Sequence, residues 1–265
     1  MVALEAGQQP KHIQPLDSEA EVTDTEFEER NRAAIKSMAT DTELSSATQE
    51  WFNKSYRHEY SYHFKWMGLP IIQYPQDIVA LQELVWELRP DAIVETGIAR
   101  GGSLILYSSL FEMMGTDGLV VGVDIDIREP NRQAIEQHPL SERIEMIEGS
   151  SVDEDVIRQV AAAIAGRESV LVVLDSNHTH EHVLAELELY SQFVTRGSYL
   201  IVFDTVVEHM PEGSYPDRPW GKGNNPMSAA KEFLSRNQGF EVDHAITDKL
   251  LITAAPGGYL KRVSD

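Results

Sequence analysis

The sequence predicts an α/β fold, a doubly wound and mostly parallel sheet of seven strands with an N-terminal helical extension. Three observations lead there. From residue 75 onward, short apolar runs alternate with helix-spaced stretches, the pattern of a parallel sheet covered on both faces. The first five of those runs each carry an acidic residue at the carboxyl end. The last two runs are separated by five residues, too few for a parallel crossover, so the final strand is expected to be antiparallel.

Taken in order, residues 1–24 are polar, and seven acidic residues lie between Asp17 and Glu29. They read as a flexible acidic arm; an arm wrapping a neighbouring subunit is the alternative. Residues 25–74 read as a helical and cover segment, with helices near 26–38 and 42–54. There YRHEYSYHFKWMGLPIIQYP is rich in aromatics and punctuated by Gly68, Pro70 and Pro75. Residues 75–265 form the main domain. Pro75 suits a first helical turn, and Ile78, Leu81, Leu84, Val85 and Leu88 fall at helical spacing before Pro90. AIVET (92–96) is a buried strand bounded by Pro90 and Gly97. LVVGVD (119–124), RIEMIEG (143–149), SVLVVLD (169–175) and SYLIVFD (198–204) repeat the theme. Helices are expected near 130–137, 153–165, 180–195 and 227–237. FEVDH (240–244) and LLITAAP (250–256) are expected to close the sheet.

The chain has 265 residues, with 22 Lys plus Arg, 43 Asp plus Glu and a net charge of −21. Such a surface repels phosphate backbones, so nucleic acid and anionic membranes are poor partners. With no cysteine, disulfides, thiolate zinc sites and a Cys nucleophile are all excluded. No apolar run approaches the ~20 residues of a membrane span, and no export signal is visible. The expectation is a cytoplasmic protein without membrane insertion, associating as a homo-oligomer and acting on a small molecule.

Ligands of open parallel sheets sit beyond the carboxyl ends of the strands. The first strand runs there into Glu95-Thr-Gly97-Ile-Ala-Arg-Gly101-Gly102-Ser103, spaced E-x-G-x-x-x-G-G rather than as a dinucleotide fingerprint. Glycines let the backbone approach a ligand, and the next helix presents free N–H groups. Glu95 puts a carboxylate where a pyrophosphate would lie, which favours a cationic ligand. Asp124 ends the next strand, where a carboxylate can hold both hydroxyls of a ribose. Ribose plus a positive centre describes S-adenosylmethionine (SAM). The same glycines also suit a tight strand-to-helix turn, but topology and the two acids favour the ligand.

The runs VETGIARGGS, VVGVDID, VLDSNHTHEHVLAEL, YLIVFDT and RPWGKGNNP resemble the cephalosporin hydroxylase family. That family includes rhamnosyl O-methyltransferases and is a branch of the class I SAM-dependent methyltransferases. Trp66, Gly68, Pro70, Ile71, Gln73 and Pro75 belong to the same resemblance, which covers about 63–256. It implies a Rossmann-like methyltransferase fold, SAM, and Mg²⁺ or another divalent cation between Asp175 and Asp204. Acids at neighbouring strand ends ~5 Å apart can share one hard cation. Cofactor contacts are expected from Glu95, Gly97, Gly101, Gly102, Ser103, Asp124, Ser150 and Asp175. Phe203 and Thr205 flank Asp204 where relatives often carry a second acid or Asn, and Ser150 stands where many carry Asp.

His178, His180 and His182 satisfy H-x-x-E-H, an inverted zinc-protease pattern. That pattern needs a settled helix, whereas this one begins at a strand end. His178, three positions after Asp175, is instead expected to act as general base, and His180 and His182 to belong to the helix. Residues 206–226 form a long loop with four Pro and three Gly, expected to act as a lid. Tyr215 and Trp220 offer stacking faces, and Arg218 and Lys222 offer charge for an anionic group. The leading expectation is a SAM-dependent, metal-assisted O-methyltransferase for a sugar or natural product. A non-catalytic SAM-binding partner subunit and an oxygenase are the alternatives; SAM turnover and iron dependence discriminate them.

Overall fold

The computed structural model describes residues 24–264. Of the expected acidic arm, only Asp24 falls among the described residues, as the first residue of α1 (Asp24–Ala39). Asp41 starts α2 (Thr42–Ser55) by accepting from the Leu44 N–H at 2.9 Å. Two 3₁₀ turns, Tyr56–His58 and Tyr60–His63, lead into a small hairpin of β1 (Lys65–Trp66) and β2 (Leu69–Pro70). Pro75 then opens α3 (Pro75–Leu88).

The sheet follows as β3 (Ala92–Thr96), β4 (Leu119–Asp124), β5 (Ile144–Glu148), β6 (Val170–Leu174) and β7 (Tyr199–Val202). Their helices are α4 (Gly102–Met114), α5 (Glu129–Glu136), α6 (Glu154–Ala163), α7 (His180–Tyr190) and α8 (Pro226–Arg236). β8 (Phe240–Val242), α9 (His244–Leu250) and β9 (Tyr259–Arg262) complete the chain. The strand order is β5-β4-β3-β6-β7-β9-β8, and β9 runs antiparallel to both neighbours. Order reverses between β3 and β6, opening a crevice at their carboxyl ends.

Alternate residues feed opposite cores. Ile93, Val173 and Ile201 pack with Leu104, Tyr107 and Phe111 on one face. Val94, Val172, Val202 and Leu174 pack with Val183, Leu187 and Phe233 on the other. Every residue of β3, β6 and β7 is buried, as expected for central strands covered on both faces. No helix among the described residues is long and apolar enough to cross a membrane.

The antiparallel last strand is present, but not at 250–256. Asp243 caps α9 through the Ala245 N–H, so residues 244–250 are helical. The strand expected over 240–244 ends at Val242, and the helix expected over 180–195 ends at Tyr190 with a 3₁₀ turn beyond it. Residues 251–256 form a loop held by a buried acid. Asp77 of α3 accepts from Thr253 Oγ1 (2.5 Å), the Ala254 N–H (2.8 Å) and Tyr259 OH (3.2 Å). Backbone groups there bond to a side chain instead of a ladder. Burial pushes the Asp77 carboxyl up to about 6, against the pull of those three bonds. Asp77→Ala is expected to destabilise the protein by about 2–4 kcal/mol, because it orphans three buried donors. Urea unfolding checks this, and an unchanged midpoint would show that the latch contributes nothing.

Candidate active site

The site grows from the five parallel strand ends. Gly97, just past β3, has φ +95°, and a Cβ there would lie 2.2 Å from the Asp175 carbonyl oxygen. Only glycine lets the loop pass so close to the end of β6. Gly102 serves packing in another way: a Cβ would meet the Pro70 carbonyl oxygen at 2.4 Å. Gly102 thus seats α4 against the β1–β2 hairpin, whereas a Cβ on Gly101 would meet the Ile135 side chain of α5 at 2.4 Å.

Asp124, at the end of β4, holds the loop above it. Its Oδ2 accepts from the N–H groups of Ile98 (2.8 Å) and Ala99 (3.2 Å), and its Oδ1 from Asp126 (3.1 Å). Glu95 points the other way. It shares the α4-facing side of β3 with Ile93, is 2% exposed, and accepts from Ser103 Oγ and from Tyr107 OH at 2.7 Å. Burial pushes its carboxyl up to about 7 despite those two bonds. Period-2 alternation already carried this signal, since an odd-numbered neighbour of Ile93 must face α4.

Two cavities open over these ends. The smaller, about 250 Å³, is bordered by Gly97, Asp124, Ser150, Asp175, His182 and Trp220. Glu95, Gly101, Gly102 and Ser103 stand behind its wall rather than on it. The larger, about 760 Å³, is bordered by Tyr56, Tyr74, Arg100, His178, Asp204 and Trp220. Ala99, Ser176 and Trp220 border both. A separate groove of about 340 Å³ beside α1, α2 and α9 contains none of the expected site residues.

At the junction, one ligand atom each from Asp175, His178 and Asp204 lies within 4.8 Å of the other two. His178 Nε2 is 3.1 Å from Asp204 Oδ2, and Gln73 Nε2 donates to Asp175 Oδ2 at 3.0 Å. Burial, then the charge of Asp204, pushes the Asp175 carboxyl well above its ordinary range. Asp204 holds φ +55° at the start of a 3₁₀ turn, Thr205–His209. Its neighbours turn inward: Phe203 is 1% exposed, and Thr205 donates to the Pro256 carbonyl. The donors are two carboxylates and an imidazole, a set that suits a divalent cation with room for water or a hydroxyl.

The three histidines separate. His178 meets Asp204 and the ring of Trp220, centroids 4.7 Å apart and edge-on. His180 meets Ser228 (2.8 Å) and Glu232 (3.1 Å) on α8. His182 meets Ser151 (3.0 Å) and borders the smaller cavity. Ser151, Ser176 and Ile125 are wall residues that sequence reasoning did not single out, and His182, expected only to belong to the helix, is a fourth. Ile125, 74% exposed directly after Asp124, was the available signal: an apolar residue left bare at a strand end.

The 206–226 loop is tied down. Glu208 accepts from the Gly223 N–H (2.8 Å) and Asn225 Nδ2 (2.5 Å), and these bonds lower its pKa. Asn225 and Ser228 form a capping box on α8. Trp220 is thereby held over both cavities, whereas Lys222 borders neither.

A parallel five-strand core with an antiparallel strand next to last, and a cleft at its reversal point, defines the class I methyltransferase fold. The family model described as Rhamnosyl O-methyltransferase/CmcI matches residues 58–263, and the chain belongs to this family of methyltransferases. Curated relatives include the rhamnosyl O-methyltransferase of Mycobacterium leprae (strain TN), 29% identical over 74% of this chain and 82% of that one. The Mycobacterium tuberculosis (strain ATCC 25618 / H37Rv) rhamnosyl O-methyltransferase is 26% identical over 74% of this chain and 77% of its own. A solved structure of CmcI with Mg and SAM shares the fold at TM-score 0.55 and 21% identity, over 77% of this chain and 78% of that one. Another, with SAH, has TM-score 0.50 and 20% identity, over 75% and 81%.

Gly97→Ala is expected to cost about 1–3 kcal/mol, combining a left-handed φ with a backbone clash. Thermal unfolding measures the loss, and a variant as stable as wild type would show that the loop can move away from Asp175.

Proposed function

We propose that the protein moves a methyl group from SAM to a hydroxyl of a sugar or other polyhydroxylated natural product, assisted by Mg²⁺ or a similar cation. The observation that carries this reading is the junction of the two cavities, where Asp175, His178 and Asp204 converge. The names of the mycobacterial relatives support the reaction, and the Mg, SAM and SAH of the CmcI structures support the cofactors.

In this reading the smaller cavity takes the donor. Asp124 Oδ1, which accepts only from Asp126, keeps one lone pair free for a ribose hydroxyl, Ile125 offers an apolar face, and Ser150 offers a hydrogen bond. Gly97 lets backbone approach, while Glu95, Ser103, Gly101 and Gly102 brace the loop from behind. Asp175 and Asp204 hold the cation, and Gln73 orients Asp175. A cation bound there supplies Lewis acidity that lowers the pKa of an acceptor hydroxyl. His178 takes the hydroxyl proton as the acceptor oxygen forms its bond to the methyl carbon and the carbon–sulfur bond breaks, leaving SAH. Trp220 fixes the imidazole plane and shields the junction from water.

Calorimetry is expected to show SAH binding, and methyl transfer to a panel of glycosides is expected to stop in EDTA and return with Mg²⁺. Asp204→Ala should lose at least about 10²-fold in turnover yet retain SAH affinity. Full activity in EDTA would remove the cation; SAH binding without turnover on any acceptor would favour the partner-subunit reading.

His178→Ala should lower turnover by about 10²–10⁴-fold with SAH and Mg²⁺ affinities unchanged. A parallel loss of Mg²⁺ affinity would make His178 a ligand rather than the base.

A further inference from the structure

We infer that the acceptor is anionic, a hydroxyl-bearing molecule that carries a carboxylate or phosphate group into the larger cavity. The inference rests on the methyl-transfer reading and names the substrate class of the same site.

The chain as a whole carries a net charge of −21. The larger cavity reverses that sign. Arg57, Arg100, Arg128 and Arg218 border it, against Glu59 and Asp204, and Asp204 is the acid assigned to the cation. These arginines come from four separate segments: the cover, the glycine loop, the approach to α5, and the β7–α8 loop. Their convergence is a product of folding, since no basic run exists in the sequence at these positions.

Acids outnumber bases almost twofold, at 43 to 22, so an arginine here should readily find a carboxylate. Elsewhere some do: Arg132 meets Glu148 at 2.5 Å and Arg143 meets Glu112 at 2.9 Å, whereas Arg89 stacks on Trp86 and Arg167 donates to a backbone carbonyl. Around the cavity three of the four make no ion pair among the described residues. Arg57 and Arg100 are exposed and have no ion-pair partner among the described residues. Arg218 lies over the Trp220 ring, 5.1 Å from its centroid, and makes no ion pair among them. Arg128 has one loose contact, 3.6 Å to Asp126. Guanidinium forks match the paired oxygens of carboxylate and phosphate. A negatively charged protein also repels an anionic acceptor at a distance, and a cleft of opposite sign focuses the field that draws it in. Tyr56, Tyr74 and Tyr215 on the same walls supply flat faces for the body of the acceptor. A neutral glycoside would use the tyrosines and leave the guanidiniums without a role.

The test uses the full chain loaded with Mg²⁺ and SAH. Calorimetry compares methyl α-D-glucopyranoside with its carboxylate counterpart, methyl α-D-glucuronide, and with glucose 6-phosphate. The charged probes are expected to bind at least about tenfold more tightly than the neutral one. The order between carboxylate and phosphate identifies the anion. In the double variant Arg57→Gln, Arg100→Gln the advantage should shrink to within about threefold. Equal affinities for charged and neutral probes, including no binding of any, overturn the inference. So does an advantage that survives intact in the double variant, because Arg57 and Arg100, the exposed guanidiniums on which the inference rests, would then not hold the anion. SAH binding, read separately before each titration, isolates the two readings. Its absence overturns the donor assignment, whereas its presence with no charge preference overturns only the acceptor class.

Discussion

The contact between the Gly97 backbone and the carbonyl of Asp175 is the constraint on which the strand-end region depends. The Gly97 N–H donates to Val123 on one side (2.7 Å), and the Asp175 N–H donates to Thr96 on the other (2.9 Å). One turn of backbone therefore couples β4, β3 and β6. Asp124 continues the coupling by accepting from Ile98 and Ala99. The floor of the smaller cavity and the position of the Asp175 carboxylate are set together by main-chain geometry, with no flexible side chain between them. That is the rigidity a site needs when its chief task is alignment.

Above this floor the dominant force is electrostatic. Asp77, Glu95, Asp175 and Glu186 are buried or nearly so, and Asp204 lies beside them. Burial first, then Asp204, Glu95, Asp77 and Glu186, raise the pKa of Asp175. Glu186 spends one oxygen on Ser176 Oγ at 2.7 Å, and its other oxygen has no partner among the described residues. Concentrating acids in this way costs stability unless positive charge arrives. A cation held as proposed between Asp175 and Asp204 would offset that cost locally, and the arginines at the cavity mouth add positive charge beside it.

The cover segment supplies the third element. Trp51, Phe52, Tyr60 and Tyr74 pack as one aromatic cluster, with Tyr60 and Tyr74 stacked at 5.9 Å. Part of the cluster belongs to the core on the α4 side of the sheet, and part forms the cavity wall. Tyr74 of the cluster, with Tyr56 beside it, consequently borders the larger cavity, and rigid aromatic walls lose little entropy on binding.

Much of the sheet was legible in the sequence because its signal is local. AIVET, LVVGVD and SVLVVLD are short apolar runs bounded by Pro, Gly or Asp, and they are strands β3, β4 and β6. Their terminal acids and the glycine loop had to lie at one edge once the strands were parallel. The last strand was not legible: LLITAAP is as apolar as the others, yet Asp77, distant in sequence, takes its donors and leaves the pairing to Tyr259–Arg262. The separation of the three histidines, the place of His182 on the cavity wall and the meeting of four arginines were decided only by tertiary structure. Periodicity reports which face of its own element a residue occupies. Which partner waits on that face depends on elements brought together from far along the chain, and no local pattern encodes that meeting.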